Sequence, residues 1–367
     1  RWNNSSRGGD CGGNRRCHRR QRCHRRASDY TPAAAFYYEA TSGDFQCLTG
    51  NQTGKFPDSL EIRVSVFLGC ESKSILLELW RSMGAYFQPA SLSEAVEMMA
   101  AQVLTVIAGG TDIYPAQANA QARGEHEEID LVDISGIPGL DQILIFDDHV
   151  VLGPAVTWTQ LSEAELPAEL NALREASRQV GGRQVQNRGT IAGNICNASP
   201  AADGVPSLLA LSAELELSSK RGRRRLAISD FVLGNRRTAI RSDELVSAIH
   251  IPRMKDTTLS AFEKLGARAY LVISIAMVSV HVSIANNRTI TDARFAVGAC
   301  SEVARRLDGL ETQVIGYVLN ASIAKMISPE HFADLAPIDD VRASAGYRRL
   351  AAASLLRRAL TRLIVAS

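Results

Sequence analysis

The first pattern with possible chemistry is a glycine pair that follows an apolar run, VIAGGTD at residues 106–112. Two glycines after a strand let the backbone approach a ligand closely, and successive N–H groups can form a nest for a phosphate. Thr111 adds a hydroxyl donor. Taken alone, the pair Gly109-Gly110 is more typical of a plain tight turn after a strand.

The second pattern lies about eighty residues later, where NRGTIAGN at 187–194 is followed by SPAAD at 199–203. It combines small residues for close backbone approach with amide and hydroxyl donors. Asp203 can accept a hydrogen bond from a ribose or ribityl hydroxyl. A glycine-rich loop capped by Asp203 at a helix start fits the same residues equally well.

Other candidate patterns are weaker. GNQTGKF at 50–56 is one residue short of a P-loop and has Phe56 where the magnesium-binding hydroxyl should stand. No G-x-G-x-x-G is present, so a Rossmann dinucleotide site is not supported. The pairs Cys17-His18 and Cys23-His24 lie in an arginine-rich stretch, which argues against a zinc site. The run KRGRRR at 220–225 predicts a solvated hairpin turn.

Regular elements surround both glycine patterns. Before the first pattern the sequence predicts a short strand at 85–88, a helix at about 92–101 capped by Ser91 or Ser93, and a buried strand at 103–107. A strand at 128–133 and a hairpin of 141–146 with 149–152 follow it.

Around and after the second pattern the elements are less regular. We predict a helix at 167–180, a connector at 189–194, a helix at 205–211 and strands at 213–218 and 244–251. Pro252 and the polar residues 254–258 mark a domain limit. Beyond it we expect a strand at 272–284, its partner at 293–300 and an amphipathic helix after Pro337. The loose alternation favours an α+β architecture over a regular parallel βαβ array.

Composition excludes several classes of protein. Hydrophobic residues make up 46% of 367, enough for a large core. Residues 83–367 contain three more acidic than basic residues, so nucleic-acid binding would have to rest on the N-terminal arm. No apolar run is long enough to cross a membrane. Two of the seven cysteines lie after residue 83, which favours a reducing, cytoplasmic location.

The N-terminal segment differs from the rest. Residues 1–27 are rich in Arg, Gly, Cys and His, a composition typical of disorder. The first methionine is Met83, and regular patterning begins just after it. We therefore expect residues 1–82 to be disordered or a non-native extension, with Met83 as the natural start.

Five segments together resemble a known family. They are AGGTD at 108–112, NRGTIAGNICNASPAAD at 187–203, EKLGARAYLVISIAMV at 263–278, the opening MGAYFQPASLSEAVEMMA from Met83, and SAGYRRLAAASLLRRAL near the C-terminus. In order and spacing they resemble the FAD-binding (medium) subunit of the xanthine dehydrogenase and carbon monoxide dehydrogenase molybdenum hydroxylase family. The combination is more specific than any single motif.

The resemblance implies a fold and a set of cofactor-binding residues. It implies a two-lobed FAD-binding domain of the p-cresol methylhydroxylase type at 83–255, then a smaller α+β domain at 256–367 like the CO dehydrogenase flavoprotein C-terminal domain. The residues around the FAD pyrophosphate would be Ile107, Ala108, Gly109, Gly110, Thr111 and Asp112. Thr190, Gly193 and Asn194 would form a second wall, Asp203 would bind a polar part of FAD, and Val246 and Lys264 would lie near the flavin.

The resemblance also implies a function and partners. Molybdopterin would be bound by a large partner subunit and [2Fe-2S] clusters by a small one, because residues 1–82 lack the C-x4-C-x2-C spacing. FAD on this chain would pass electrons to NAD+ or another acceptor, so no catalytic acid, base or metal ligand is expected here. Val180 replaces an aromatic residue that some relatives place against the flavin. The alternatives are a self-sufficient FAD-dependent oxidase and a flavin-free scaffold. No membrane or nucleic-acid partner is expected.

Overall fold

The computed structural model describes residues 84–125, 128–254, 256–268 and 271–366. The expectations for residues 1–82 and for Met83 lie outside these residues. In the described part of the chain, no helix is both long enough and apolar enough to cross a bilayer.

A small parallel sheet carries the first glycine pattern. Its strands are β1 (Tyr86–Phe87), β2 (Thr105–Ile107) and β3 (Leu131–Asp133), in the spatial order β1-β3-β2. Helix α1 (Leu92–Ala101) connects β1 to β2, and α2 (Ile113–Ala122) follows β2. The glycine pair therefore lies between the end of a strand and the start of a helix.

Helix α1 forms where the sequence predicts it. Ser91 Oγ accepts a hydrogen bond from the Glu94 N–H at 3.2 Å, which satisfies one of the donors that a first helical turn leaves open. Ala95, Val96 and Met99 are buried on one face. This i, i+1, i+4 face packs against the small sheet and fixes where the chain enters β2.

The second sheet is antiparallel and five-stranded. In spatial order its strands are β4 (Ile143–Ile145), β5 (His149–Leu152), β10 (Leu245–Pro252), β6 (Glu214–Ser219) and β7 (Gly222–Ala227). The predicted hairpin of β4 and β5 and the predicted strands β6 and β10 are confirmed. This sheet forms one wall of a large apolar core.

Short helices between β5 and β6 carry the second glycine pattern. They are α3 (Trp158–Glu163), a 3₁₀ turn (Ala168–Leu170), α4 (Asn171–Ser177), α5 (Arg183–Arg188), α6 (Ile191–Asn197) and α7 (Gly204–Ala210). After β7 come α8 (Ile228–Phe231), β8 (Val232–Gly234) and β9 (Arg237–Thr238). Their apolar side chains pack into the same core as the five-stranded sheet.

The C-terminal part is a four-stranded antiparallel sheet covered by a long helix. Its strands are β11 (Thr257–Leu265), β12 (Ala276–Ile284), β13 (Ile290–Gly298) and β14 (Arg305–Arg306). The remaining helices are α9 (Asp308–Val314), α10 (Ile323–Met326), a 3₁₀ turn (Pro329–Phe332) and α11 (Ala345–Ala366), which packs on β11 and β12. The expected fold class, a two-lobed domain followed by a smaller α+β domain, is confirmed. The domain limit at 255/256 stays a prediction.

Several predicted elements begin or end elsewhere. Val103 is 82% exposed and precedes β2, because pairing with β3 starts only at Thr105. The strand expected from residue 272 starts at Ala276, since Ser274 is turned toward Asp203 by a hydrogen bond. The helix expected at 167–180 is a 3₁₀ turn followed by α4, which ends at Ser177.

In two further regions the structure departs from or adds to the predictions. The arginine-rich run at 220–225 is a turn only at its start; the rest belongs to the edge strand β7, where Arg224 donates to both carboxylate oxygens of Glu244 at 2.8 Å. The polar residues taken as a domain limit run into β11, which was not predicted. Its strand pairing along the full length of β12 outweighs the weak local preference of these residues.

Candidate functional site

The first loop of the site comprises residues 108–112, between β2 and α2. Gly110 has a φ of +69°, a conformation that favours glycine. A Cβ at Gly110 would lie 2.5 Å from the Tyr114 ring, so a side chain does not fit there either. Asp112 precedes α2 and makes no side-chain capping hydrogen bond. The loop therefore presents backbone at the start of a helix, as phosphate-binding loops do.

The second loop runs into α6, which corrects the prediction of a connector at 189–194. Thr190 caps this helix, with its Oγ1 accepting from the Gly193 N–H at 3.1 Å. Ile191 and Ile195 are fully buried and hold the helix to the core. The capping hydroxyl and these anchors offset the weak helix preference of Gly193.

The two loops lie against each other, although they are far apart in the chain. A Cβ at Gly109 would lie 1.9 Å from the Arg188 carbonyl oxygen, so the two backbones touch here. Asn197 Nδ2 donates to Asp112 Oδ1 at 2.9 Å across a separation of 85 residues. The two glycine patterns thus form one structural unit, as a shared ligand would require.

Asn194 contributes an unusual polar atom to this unit. Its Oδ1 is buried and has no hydrogen-bond partner among the described residues. It lies 3.2 Å from the position that a Cβ on Gly204 would take, which places it beside the start of α7. A buried amide oxygen without a donor is destabilising, so a donor from a bound ligand fits this position.

Asp203 and Lys264 form a buried ion pair. Lys264 Nζ lies 2.6 Å from Asp203 Oδ2 and also donates to the Gln179 carbonyl oxygen at 3.0 Å. Ser274 Oγ donates to Asp203 Oδ1 at 2.5 Å. Burial raises the pKa of the Asp203 carboxyl, while the Lys264 ammonium and the Ser274 hydroxyl oppose that rise. In this structure both oxygens of Asp203 are thus occupied by protein donors.

A cavity of about 220 Å³ opens beside Lys264. It is lined by Gln179, Lys264, Leu265, Gly266, Arg268, Leu271 and Val272. No carboxylate is among these lining residues, and two of them are cations. An uncharged or electron-rich group fits such a cavity better than a cation does.

The remaining expected site residues lie around this unit without projecting into it. Ile107 is 2% exposed and Val246 is 4% exposed, so both side chains belong to the apolar core. Any contact of Val246 with a cofactor would have to come from its backbone. Val180 is half-buried at the edge of that core. Cys196 is exposed on α6.

Three contributing residues were not identified from the sequence. Asn197, Ser274 and Gln179 act through tertiary contacts with Asp112, Asp203 and Lys264. Asn197 lies inside the NRGTIAGNICNASPAAD segment, so its polar side chain near the loop was a usable signal. Ser274 and the Gln179 carbonyl carry no such signal, because only the fold brings them to the pair.

The residues present fit FAD. Gly109 and Gly110 pack against the Arg188 backbone and the Tyr114 ring, and the backbone of this loop at the start of α2 suits a pyrophosphate. The unpaired Asn194 oxygen suits a hydroxyl or N–H donor of the cofactor. Among the described residues, no group of three or more His, Cys, Asp or Glu side chains could hold a metal ion.

Two family models match the chain. The FAD binding domain in molybdopterin dehydrogenase matches residues 81–254, and the CO dehydrogenase flavoprotein C-terminal domain matches residues 260–363. Both glycine loops and Asp203 lie in the first match, and Lys264 and Ser274 lie in the second. The two matches together cover most of the chain.

Similar proteins and structures agree with these matches. The nicotine 6-hydroxylase medium subunit of Paenarthrobacter nicotinovorans is 30% identical over 75% of this chain and 95% of that protein. The xanthine dehydrogenase FAD-binding subunit of Escherichia coli O157:H7 is 30% identical over 72% and 90%. The solved carbon monoxide dehydrogenase of Hydrogenophaga pseudoflava has a chain that is 27% identical, with a TM-score of 0.70 over 77% of this chain and 97% of that one.

Proposed function

We infer that this chain, which belongs to the FAD-binding subunits of the molybdenum hydroxylase family, binds FAD between its two glycine loops and passes electrons from a partner chain to NAD+. Membership in the family makes it an oxidoreductase subunit. The acceptor, the partner clusters and the residue roles given below are our proposals.

The contact between the two loops carries the proposal. Because Gly109 meets the Arg188 backbone and Asp112 meets Asn197, a ligand held by one loop is within reach of the other. Backbone N–H groups of residues 109–111, at the start of α2, would hold the pyrophosphate. Thr190, Gly193 and Asn194 would form the opposite wall, where the unpaired Asn194 oxygen gains a donor.

The other proposed residues lie further from this loop contact. Asp203 would act on FAD through Lys264 rather than directly, because its two oxygens are already bonded. Ile107 and Ala108 would support the first loop, and Val246 would contribute backbone only. When bound, FAD supplies the electron-transfer chemistry, and this chain binds, orients and shields it.

The partners proposed are a molybdopterin-binding large subunit and an iron–sulfur small subunit. Relatives are named medium subunits or medium chains, which indicates assemblies of several chains. A tagged chain purified gently from its native host should bring down one large chain with molybdenum and one small chain with iron. Flavin and metal analysis of the eluate checks the composition.

Two other results of that purification would contradict the proposal. A chain that elutes alone with FAD and oxidises a substrate unaided is a self-sufficient oxidase. A colourless chain that takes up no added FAD is a scaffold. The acceptor needs a separate measurement: the substrate-reduced complex should regain flavin absorbance when mixed anaerobically with NAD+. A flavin that only ferricyanide reoxidises would exclude NAD+.

A further inference from the structure

The buried pair of Asp203 and Lys264 joins the two parts of the fold. Asp203 stands just before α7 in the FAD-binding part, and Lys264 lies on β11 of the C-terminal part. Their side chains are 8% and 6% exposed. Burying two charges costs free energy that a close contact only partly offsets, so an apolar pair would serve stability as well. Stability alone therefore does not explain this buried pair.

Among the described residues, the hydrogen bonds around the pair leave one N–H donor of Lys264 without a partner. Asp203 accepts from Ser274 with one oxygen and from Lys264 with the other. Lys264 uses two of the three N–H donors of an ammonium, on Asp203 and on the Gln179 carbonyl oxygen. Lys264 lines the 220 Å³ cavity and Asp203 does not. The cation of the pair is thus nearer to a ligand in the cavity than the anion is.

A continuous row of contacts connects this cavity to the glycine loops. Gly109 touches the backbone at Arg188, and two residues later Thr190 begins α6. Asn194 on α6 lies beside Gly204, the neighbour of Asp203. This row of contacts runs from the glycine loops to the residue before α7, so the Asp203–Lys264 pair belongs to the same part of the fold as the loops.

We propose that Ser274 and Asp203 are positioning residues that hold the Lys264 ammonium against the flavin ring of bound FAD, where it makes the flavin easier to reduce. This inference rests on the proposed function, because it assumes FAD in the cleft. Ser274 has no contact with the cofactor in this scheme and acts only through Asp203 and Lys264. Its buried position, with 0% exposure, fits that indirect role.

The effect follows from charge. Reduction adds two electrons to the ring, and uptake of one proton leaves one negative charge on it. A fixed ammonium beside the ring stabilises this reduced form more than the neutral oxidised form. In the family assembly the electrons would come from the partner chain, and in a titration they come from the electrode. Moving the Lys264 ammonium away from the ring should lower the flavin midpoint potential.

The test is the flavin midpoint potential of the purified complex, measured by spectroelectrochemical titration. Ser274→Ala frees one Asp203 oxygen, which draws Lys264 away from the cavity. We expect reduction to become about tenfold less favourable, or about 30 mV more negative for a two-electron couple. The doubly neutral variant Asp203→Asn with Lys264→Met should shift the potential in the same direction at least as far.

Two controls separate this role from general damage. Ser274→Thr keeps the hydroxyl and should restore the wild-type potential. Ser207→Ala removes an equally buried hydroxyl, which donates to Ser279 at 3.0 Å rather than to Asp203; it should leave the potential unchanged. Adding Ser274→Ala to the doubly neutral variant should cause no further shift, because Ser274 acts through Lys264.

Three results would overturn the inference. An unchanged potential in the doubly neutral variant would show that Lys264 does not lie beside the ring. This test does not depend on whether Ser274→Ala folds. Weaker FAD binding at an unchanged potential places the adenine end at Lys264 instead. An equal effect of Ser274→Ala in both backgrounds makes Ser274 merely structural. A wild-type complex that contains no FAD is a different result, because it contradicts the proposed function itself.

Discussion

Single atoms decide how the proposed site could work. At Gly110 a positive φ coincides with a ring only 2.5 Å from a hypothetical Cβ. At Asn194 a buried oxygen lacks a partner among the described residues. At Asp203 both oxygens are bonded, which turns an expected cofactor ligand into a partner of Lys264. Each of these details changes what a substitution should do.

Gly110→Val should abolish retention of FAD. The new side chain meets the Tyr114 ring, and valine strongly disfavours the φ of +69°. The measurement is the ratio of flavin to protein after gel filtration. Gly139→Val is the matched control, since Gly139 has a φ of +85° but nothing within 4 Å of a Cβ. Equal loss of flavin in both variants would point to backbone strain rather than to the site.

His281 should make the protein sensitive to acid. It lies on β12 and is 1% exposed. Burial, together with the nearby Arg294 and Arg306 guanidiniums, lowers its pKa to about 3. An unfolded chain takes up this proton below its ordinary pKa of 6.5 but the folded chain does not. Stability from this group is therefore complete above pH 6.5 and is lost as the pH falls toward 3.

The measurement for His281 is the free energy of unfolding against pH. Between pH 6.5 and about pH 4.5, the wild type should lose about 2 kcal/mol more than His281→Gln. His149→Gln, at a partly exposed histidine of the β4–β5 hairpin, is the matched substitution outside the core. Parallel slopes for the wild type and His281→Gln would show that His281 is not neutral in the folded protein.

At the scale of elements, the local sequence pattern was sufficient to predict a helix where one face is apolar and a cap is present. Helix α1 was predicted on those grounds, and the β4–β5 hairpin was predicted from the strand signals on either side of its turn. Helix α6 was missed because Gly193 weakens helix preference and the compensation comes from Thr190 and the core. Strand β11 was missed because its sequence has a weak local preference for strand, and its pairing with β12 stabilises it instead.

Arg348 tests how α11 is held to the sheet. It is 2% exposed, and its Nη1 donates to the Ile275 carbonyl oxygen at 2.6 Å while its Nη2 donates to Asp340 Oδ1 at 2.6 Å. Arg348→Met should reduce the free energy of unfolding by about 2–4 kcal/mol, because buried acceptors lose their donor. Arg349→Met is the control: Arg349 is exposed and donates only to the Leu335 carbonyl oxygen among the described residues. Denaturant titration should show at most a small loss for it.

At the scale of the whole molecule, the two parts of the fold share one polar boundary. Ser207 on α7 donates to Ser279 on β12, and Arg362 on α11 bridges Glu175 and Glu263. The family resemblance supplied the two glycine loops and the expected cofactor. It did not supply the link between Asp203 and Ser274, because a pair 71 residues apart depends on how the parts dock. The proposed redox role of Ser274 exists only at this scale.

Helix α2 is more exposed than α6 and α7, the other helices of the proposed site. None of its ten residues, all of which the structure describes, is buried, and none carries a charge. A helix of that length is marginal in water unless something holds it. Its firm attachment is at residues 109–112, where the cofactor phosphates would bind. Departure of the flavin and unravelling of α2 would then be a single event. Removal of the flavin should therefore add a protease cut between residues 113 and 122 that the FAD-loaded protein does not show.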